Sequence, residues 1–463
     1  MKALETLLSN LAGKVWGIPM LVLLVGTHLF LTIRLHFIQR HTGKGIRLSI
    51  AKDQDGEGDI SQFGALATAL AATIGTGNII GVSTAVALGG PGAIFWTWIT
   101  GVFGMATKYA ESLLAVRYRV KKTDGSMVGG PMYVLENGLH MKWLAVIFAV
   151  FTVFATFGTG CAVQSNAITA AIGDIFPVYK VTLFGGEFNL VILIAGALVT
   201  LITALVIIGG IKKISKVCER LVPFMAVFYI AGCLALLIYN GKYVGPAIVL
   251  ILKSAFEPQA AVGGLVGSGM IAACRYGVAR GLFSNESGLG TAPIAAAAAQ
   301  TKNPVRQALV SMTGTFWDTV IVCLMTGLVI ISSVLSDPAH FVGLENDQYV
   351  RVAFAQLPVA GKYILTIALA VFAFTTILGW SFYGETCLSY LFGKKSIIVY
   401  RIVFLAVLFI GSVVSLGIIW NFSDLFNGLM AFPNLICLLL LSGVVVKETR
   451  HYLWEDRLDE NGN

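Results

Sequence analysis

The chain has 463 residues, of which 57% are hydrophobic and 12% charged, with a mean hydropathy of +0.82 and a net charge of +8. A soluble domain carries roughly 25% charged residues, so this composition excludes a water-coated particle and makes lipid part of the solvent. No basic soluble face stands out, which argues against nucleic acid as a partner. The seven cysteines lie within or beside apolar segments and form no CxxC pair; they read as small buried hydrophobes, not as a metal site or disulfide framework.

Apolar runs predict an all-α polytopic membrane protein of about eleven transmembrane helices, near 16–37, 62–90, 92–119, 142–175, 187–210, 216–239, 258–282, 306–335, 360–392, 397–419 and 423–446. The first run is longer than a signal-peptide core and lacks a small-x-small cleavage site, so it reads as a retained span. Alternating the spans with the N-terminus outside and the C-terminus cytoplasmic puts most of the 32 Lys and Arg residues inside, as the positive-inside rule requires. Arg34, Arg40, Lys44, Arg47 and Lys52 form the first inside cluster. Setting aside the first helix leaves ten spans, and five plus five of opposite orientation is the arithmetic of an inverted repeat. The expected division is an N-terminal helix with a basic cytoplasmic loop (1–58), a first five-helix repeat (59–240), a second (241–446) and a cytoplasmic tail (447–463).

Two spans contain glycine interruptions. In the second, Thr73-Ile74-Gly75-Thr76-Gly77-Asn78 follows a good helical run. Glycine lets the backbone leave helical geometry at low cost. Unwound backbone inside a membrane supplies carbonyls for a cation and N–H groups for a carboxylate. Close helix packing is the competing reading. Five helices later, Gly263-Gly264-Leu265-Val266-Gly267-Ser268-Gly269 interrupts the seventh span. Paired breaks at corresponding positions point to a transport site.

The ninth span carries Thr375 and Thr376. Adjacent hydroxyls can ligate a hard cation, although bonding back to the preceding turn is the ordinary role of such threonines. Gln164 in the fourth span is either interhelical glue or a substrate contact, and Trp380 reads as packing or an interfacial anchor. Glu111, Asp318 and Glu385 are intramembrane carboxylates and so functional candidates. Glu111 and Glu385 lie toward cytoplasmic ends, where Lys or Arg partners are available. Asp318 is central, and either pairs with a cation or carries protons. No HExxH or GxSxG motif suggests an enzyme.

The runs Gly75-Thr76-Gly77-Asn78-Ile79-Ile80-Gly81-Val82 and Gly89-Gly90-Pro91-Gly92-Ala93-Ile94-Phe95-Trp96 resemble those of the alanine or glycine:cation symporter family. So do Gly129-Gly130-Pro131-Met132-Tyr133 and Arg280-Gly281-Leu282-Phe283-Ser284-Asn285-Glu286-Ser287-Gly288-Leu289-Gly290. The resemblance implies a LeuT-like core of two inverted repeats behind one extra helix, in a prokaryotic plasma membrane. It implies sodium-coupled uptake of a small neutral amino acid, alanine or glycine. Proton coupling, or serine or glutamine as cargo, is the alternative. Carried over by resemblance, the sodium ligands are the carbonyls of Ala71, Ile74 and Phe372 and the hydroxyls of Thr375 and Thr376. The substrate carboxylate meets Thr76, Gly77 and Asn78. Gln164, Leu265, Gly269 and Trp380 are the candidates to enclose the amino group and side chain.

Overall fold

The computed structural model describes residues 2–51, 56–183, 186–257, 269–414 and 416–461. An amphipathic helix α1 (Lys2–Val15) meets α2 (Ile18–Arg34) at a bend of 43°. Pro19, which has no N–H to lose, sits in the first turn of α2. After the short α3 (Thr42–Ser49), Ser61 caps α4 (Gln62–Thr73) by accepting the Gly64 N–H at 2.8 Å. A π-helical turn, Gly77–Gly81, then leads into α5 (Val82–Gly89), and the two halves of this span are bent by 51°.

The first half continues through α6 (Gly92–Arg117), a small hairpin of β1 (Val120–Lys121) and β2 (Met127–Val128), and α7 (Pro131–Leu139). Helices α8 (Lys142–Phe157) and α9 (Val163–Gly173) form one span around a π-helical turn, Gly158–Ala162. A second hairpin, β3 (Lys180–Leu183) with β4 (Gly186–Asn189), precedes α10 (Leu190–Ile207) and α11 (Gly210–Tyr239).

The second half holds α12 (Gly241–Phe256), α13 (Met270–Asn285) and α14 (Ala292–Ala296). Asn303 caps α15 (Pro304–Thr315), its Oδ1 accepting the Arg306 N–H at 3.1 Å. A π-helical stretch, Phe316–Cys323, joins α15 to α16 (Leu324–Ser336). Then follow α17 (Gln348–Ala355), α18 (Ala360–Phe392), α19 (Ser396–Val413), α20 (Leu416–Leu440) and α21 (Ser442–Thr449).

Burial sorts these helices. In the apolar windows of α10 and α19 only 28% of residues are buried, against 67% in α18 and in the α8–α9 span. Helix α18 and the α8–α9 span therefore form the interior, and α10 and α19 present their side chains to lipid. Gly160 makes the close contact between them: a Cβ there would lie 2.1 Å from that of Trp380. Only glycine lets the α8–α9 span approach α18 so closely.

Among the described residues, seven helices are long and apolar enough to cross a membrane, and two bent pairs bring the number to nine, where the sequence predicts about eleven. Helix α6 is long enough at 26 residues, but Lys108, Glu111 and its glycines and threonines dilute its apolar character. A second difference lies at 241–256, which falls between the predicted spans but folds as α12. Its last turn is fitted to the start of α6. The Trp96 indole donates to the Ala255 carbonyl at 3.1 Å, and the Phe95 and Phe256 rings lie 5.1 Å apart. The predicted tail is also docked. Asn303 donates to the Leu458 carbonyl at 2.8 Å, and Trp454 stacks on His36 at 4.7 Å. Of the seven cysteines, all unpaired, six are buried, as expected of small hydrophobes.

Candidate functional site

Helix α4 stops at Thr73 because Ile74 turns extended, with φ −75° and ψ 92°. In an unbroken helix the Gly75 N–H would close on the Ala71 carbonyl. Here it goes to the Asn78 side-chain oxygen at 2.9 Å, so that carbonyl is released from its usual donor. Helix α18 crosses at this level. Its Thr376 hydroxyl lies 3.4 Å from the Ile74 carbonyl and 2.9 Å from that of Phe372. The Thr375 hydroxyl also reaches the Phe372 carbonyl, at 2.9 Å. Ala71, Ile74, Phe372, Thr375 and Thr376 are all buried. The structure thus brings together the Ile74 and Phe372 carbonyls and the Thr375 and Thr376 hydroxyls, four of the groups expected to hold sodium. They are neutral carbonyls and hydroxyls, a donor set that fits a hard cation. The threonines do bond back to the preceding turn, but a hydroxyl that donates there keeps its lone pairs for an ion.

The second expected break, 263–269, lies immediately before α13. Helix α13 runs parallel to α6. Gly277 packs on Ala93, Gly281 on Thr97 and Thr100, and Ser287 on Gly104. The helix ends at Asn285, and Glu286, Gly288 and Gly290 then take φ of 55°, 94° and 83° before α14 begins. Positive φ costs glycine little and other residues more. The Glu286–Gly290 turn therefore separates α13 from α14, and the last turn of α13 meets the first break: a Cβ on Gly77 would lie 3.2 Å from both the Phe283 ring and Ser284 Cα. The expected break at 263–269 falls largely outside the described residues, and Leu265 with it. Gly269 is the exposed N-cap of α13 and has nothing within 4 Å of an added Cβ. At 1.5 Å per residue it stands about 22 Å along the helix from Ser284, so the structure does not bring it to the other site residues. The Glu286–Gly290 turn carries a second Gly-x-Gly, Gly288-Leu289-Gly290, which echoes Gly75-Thr76-Gly77.

Gln164 and Thr76 do come together. The Gln164 amide nitrogen donates to the Thr76 hydroxyl at 3.1 Å and to the Thr159 carbonyl at 3.0 Å. Its carbonyl oxygen is buried and has no hydrogen-bond partner among the described residues. That oxygen would lie 3.5 Å from a Cβ on Gly75, so it borders the first break. Trp380 is fully buried against Gly160, in the wall behind this group. The π-helical turn lifts Thr159 out of register, and the Asn427 amide of α20 donates to its hydroxyl at 2.9 Å. Such turns cluster at functional sites.

Asn78 faces away from this group. Its amide nitrogen donates to Asp318 Oδ1 at 2.7 Å and lies 3.2 Å from the Asp318 carbonyl. The other oxygen of Asp318 accepts from Ser284 at 2.9 Å and Thr319 at 2.6 Å. Glu385 has the predicted cation, Arg401, in a two-pronged pair at 2.7 and 2.9 Å. Glu111 differs from expectation. One of its oxygens accepts the Gly288 N–H at 2.9 Å, the Gly290 N–H at 3.2 Å and the Asn434 amide at 2.6 Å. It braces the Glu286–Gly290 turn, where the sequence predicts a Lys or Arg partner.

Comparison with known proteins matches residues 1–463 to the model of the sodium:alanine symporter family. The sodium/alanine symporter AgcS of Methanococcus maripaludis is 51% identical over 96% of this chain and 97% of that protein. The probable sodium/glutamine symporter GlnT of Bacillus subtilis is 36% identical over 97% and 91%. Among solved structures, MhsT in complex with L-phenylalanine superposes with a TM-score of 0.55 at 15% identity, covering 84% of this chain and 98% of that one. That likeness concerns the fold alone, and it is LeuT-like.

Proposed function

Since this chain belongs to the sodium:alanine symporter family, we propose that it carries a small neutral amino acid, alanine or glycine, into a prokaryotic cell together with sodium. The observation that carries this reading is the meeting of the Ile74 and Phe372 carbonyls with the Thr375 and Thr376 hydroxyls beside a broken helix. The 51% identity to a sodium/alanine symporter, against 36% to a probable sodium/glutamine symporter, favours the smaller cargo.

Sodium sits between the first break and α18, held by Ala71, Ile74, Phe372, Thr375 and Thr376. The substrate carboxylate meets the N–H groups at Thr76 and Gly77, where the positive end of the next half-helix begins. The ammonium group goes to the unpartnered oxygen of Gln164. Ion and substrate order the same three-residue break, so each stabilises the conformation the other needs. With α6 and the α13–α14 pair added to the nine apolar spans, the chain crosses the bilayer eleven times, N-terminus outside and C-terminus inside. Residues 59–240 and 241–446 are then the two inverted repeats, one break in each.

Uptake of labelled alanine into proteoliposomes tests this. We expect uptake that needs sodium and is competed by glycine more strongly than by larger amino acids. Equal rates with potassium or choline in place of sodium, at fixed pH, would refute it.

A further inference from the structure

A buried carboxylate normally has a cation beside it or is fully hydrogen-bonded. Asp318 is 0% exposed, and its recorded contacts are the second kind. They come from three different parts of the chain. Asn78 belongs to the turn that follows the first break, Ser284 to the last turn of α13, and Thr319 to the same π-helical stretch as Asp318. Asp318 therefore ties the turn after the first break to the end of α13.

Its link to the first break continues one step further. The amide of Asn78 can satisfy two needs at once only in one orientation. Its nitrogen is drawn to Asp318 Oδ1 at 2.7 Å, which turns its oxygen toward the Gly75 N–H at 2.9 Å. That N–H is the one a continuous helix would place on the Ala71 carbonyl. Were Asn78 to release it, the N–H would compete with a cation for the Ala71 oxygen.

We propose that Asp318 is a positioning residue for sodium, acting through Asn78 and the Gly75 N–H to keep the Ala71 carbonyl open to the ion, while Asp318 itself does not touch the ion. This rests on the reading of the Ala71, Ile74, Phe372, Thr375 and Thr376 oxygens as the sodium site. A hydrogen bond to a charged acceptor is stronger than one to a neutral acceptor. Replacing the carboxylate by an amide therefore weakens the hold on Asn78 in either amide orientation.

The test uses the purified full-length protein without amino acid. Sodium is titrated against potassium at constant ionic strength, and the rise in thermal unfolding temperature or the change in tryptophan fluorescence is recorded. The variants are D318N, N78A and the double variant. We expect D318N to raise the sodium concentration for half-response about five- to tenfold, a range taken from the gap between charged and neutral hydrogen bonds. N78A, which keeps the negative charge of Asp318 but removes the relay, should do at least as much. The double variant should be no weaker than N78A alone, because residues acting in series do not add. A wild-type sodium response in N78A overturns the proposal, since the charge of Asp318 would then act through space. So does a wild-type response in D318N, or full additivity in the double variant. Should D318N not fold, N78A with Asp318 intact decides the matter. If the wild-type protein itself does not distinguish sodium from potassium, the sodium reading fails. If it does and the variants match it, only the relay fails.

Discussion

Replacing Gly75 by alanine would place a methyl carbon 2.5 Å from the Thr376 hydroxyl oxygen and 3.5 Å from the Gln164 side-chain oxygen. The second distance is ordinary van der Waals contact; the first is nearly an ångström too short. Either the Thr376 hydroxyl rotates away from the Ile74 carbonyl or α18 withdraws from the break. Overpacking of this kind costs about 1–3 kcal/mol. If that strain falls on the ion-bound conformation, sodium affinity drops about five- to 150-fold, at 1.4 kcal/mol per tenfold. The assay is alanine uptake by proteoliposomes across a sodium series, with thermal unfolding of the same variant in sodium and in potassium. A second substitution, T376A, removes the clashing oxygen. In G75A/T376A the unfolding temperature in potassium should recover toward wild type while the sodium response stays lost, because relief of the clash takes a ligand with it. A G75A variant with wild-type half-saturation for sodium would refute the placement of Thr376 against this break.

Three further outcomes follow from other contacts. Q164L removes the unpartnered buried oxygen while keeping bulk, and should raise the KM for alanine at least tenfold while leaving the sodium response in the absence of alanine within about twofold, reflecting the worth of about 1.5–3 kcal/mol for a hydrogen bond to a charged group. E111A leaves the Gly288 and Gly290 N–H groups without their acceptor; unpaired buried donors cost about 1–3 kcal/mol each, so unfolding temperature should fall by several degrees, and hydrogen exchange should rise at 286–291 before it rises elsewhere. At the entry to α4, Arg119 donates to the Ala299 carbonyl at 2.7 Å and the Glu57 carbonyl at 2.9 Å, and the Lys121 ammonium beside Glu57 holds that carboxyl below its usual range. A lowered carboxylate pKa contributes above the ordinary range and is lost as pH falls through the depressed value; hydrogen exchange at 56–60 should therefore be protected equally at pH 6 and 8 once corrected for intrinsic rates, and R119A should abolish that protection at both.

Membrane insertion and helical class follow from composition, because burying an unpaired charge or an open backbone in lipid is prohibitive whatever the tertiary fold. The first break was legible for a similar reason: Gly75 and Gly77 stand alone in a strong helical run, and local backbone freedom is a local property. The Thr375 and Thr376 pair was not legible from chemistry alone, since a threonine bonding to its own helix looks the same in sequence whether or not another helix brings carbonyls to it. That meeting joins Ile74 to Thr376 across 302 residues. The second expected break, 263–269, falls largely outside the described residues; what packing alone decides is that the last turn of α13, with Phe283 and Ser284, reaches Gly77. Asp318, Asn78 and Ser284 could each be noted as polar residues in apolar surroundings. Which of them faces the other two depends on packing among three helices, and side-chain direction at that distance is set by tertiary structure.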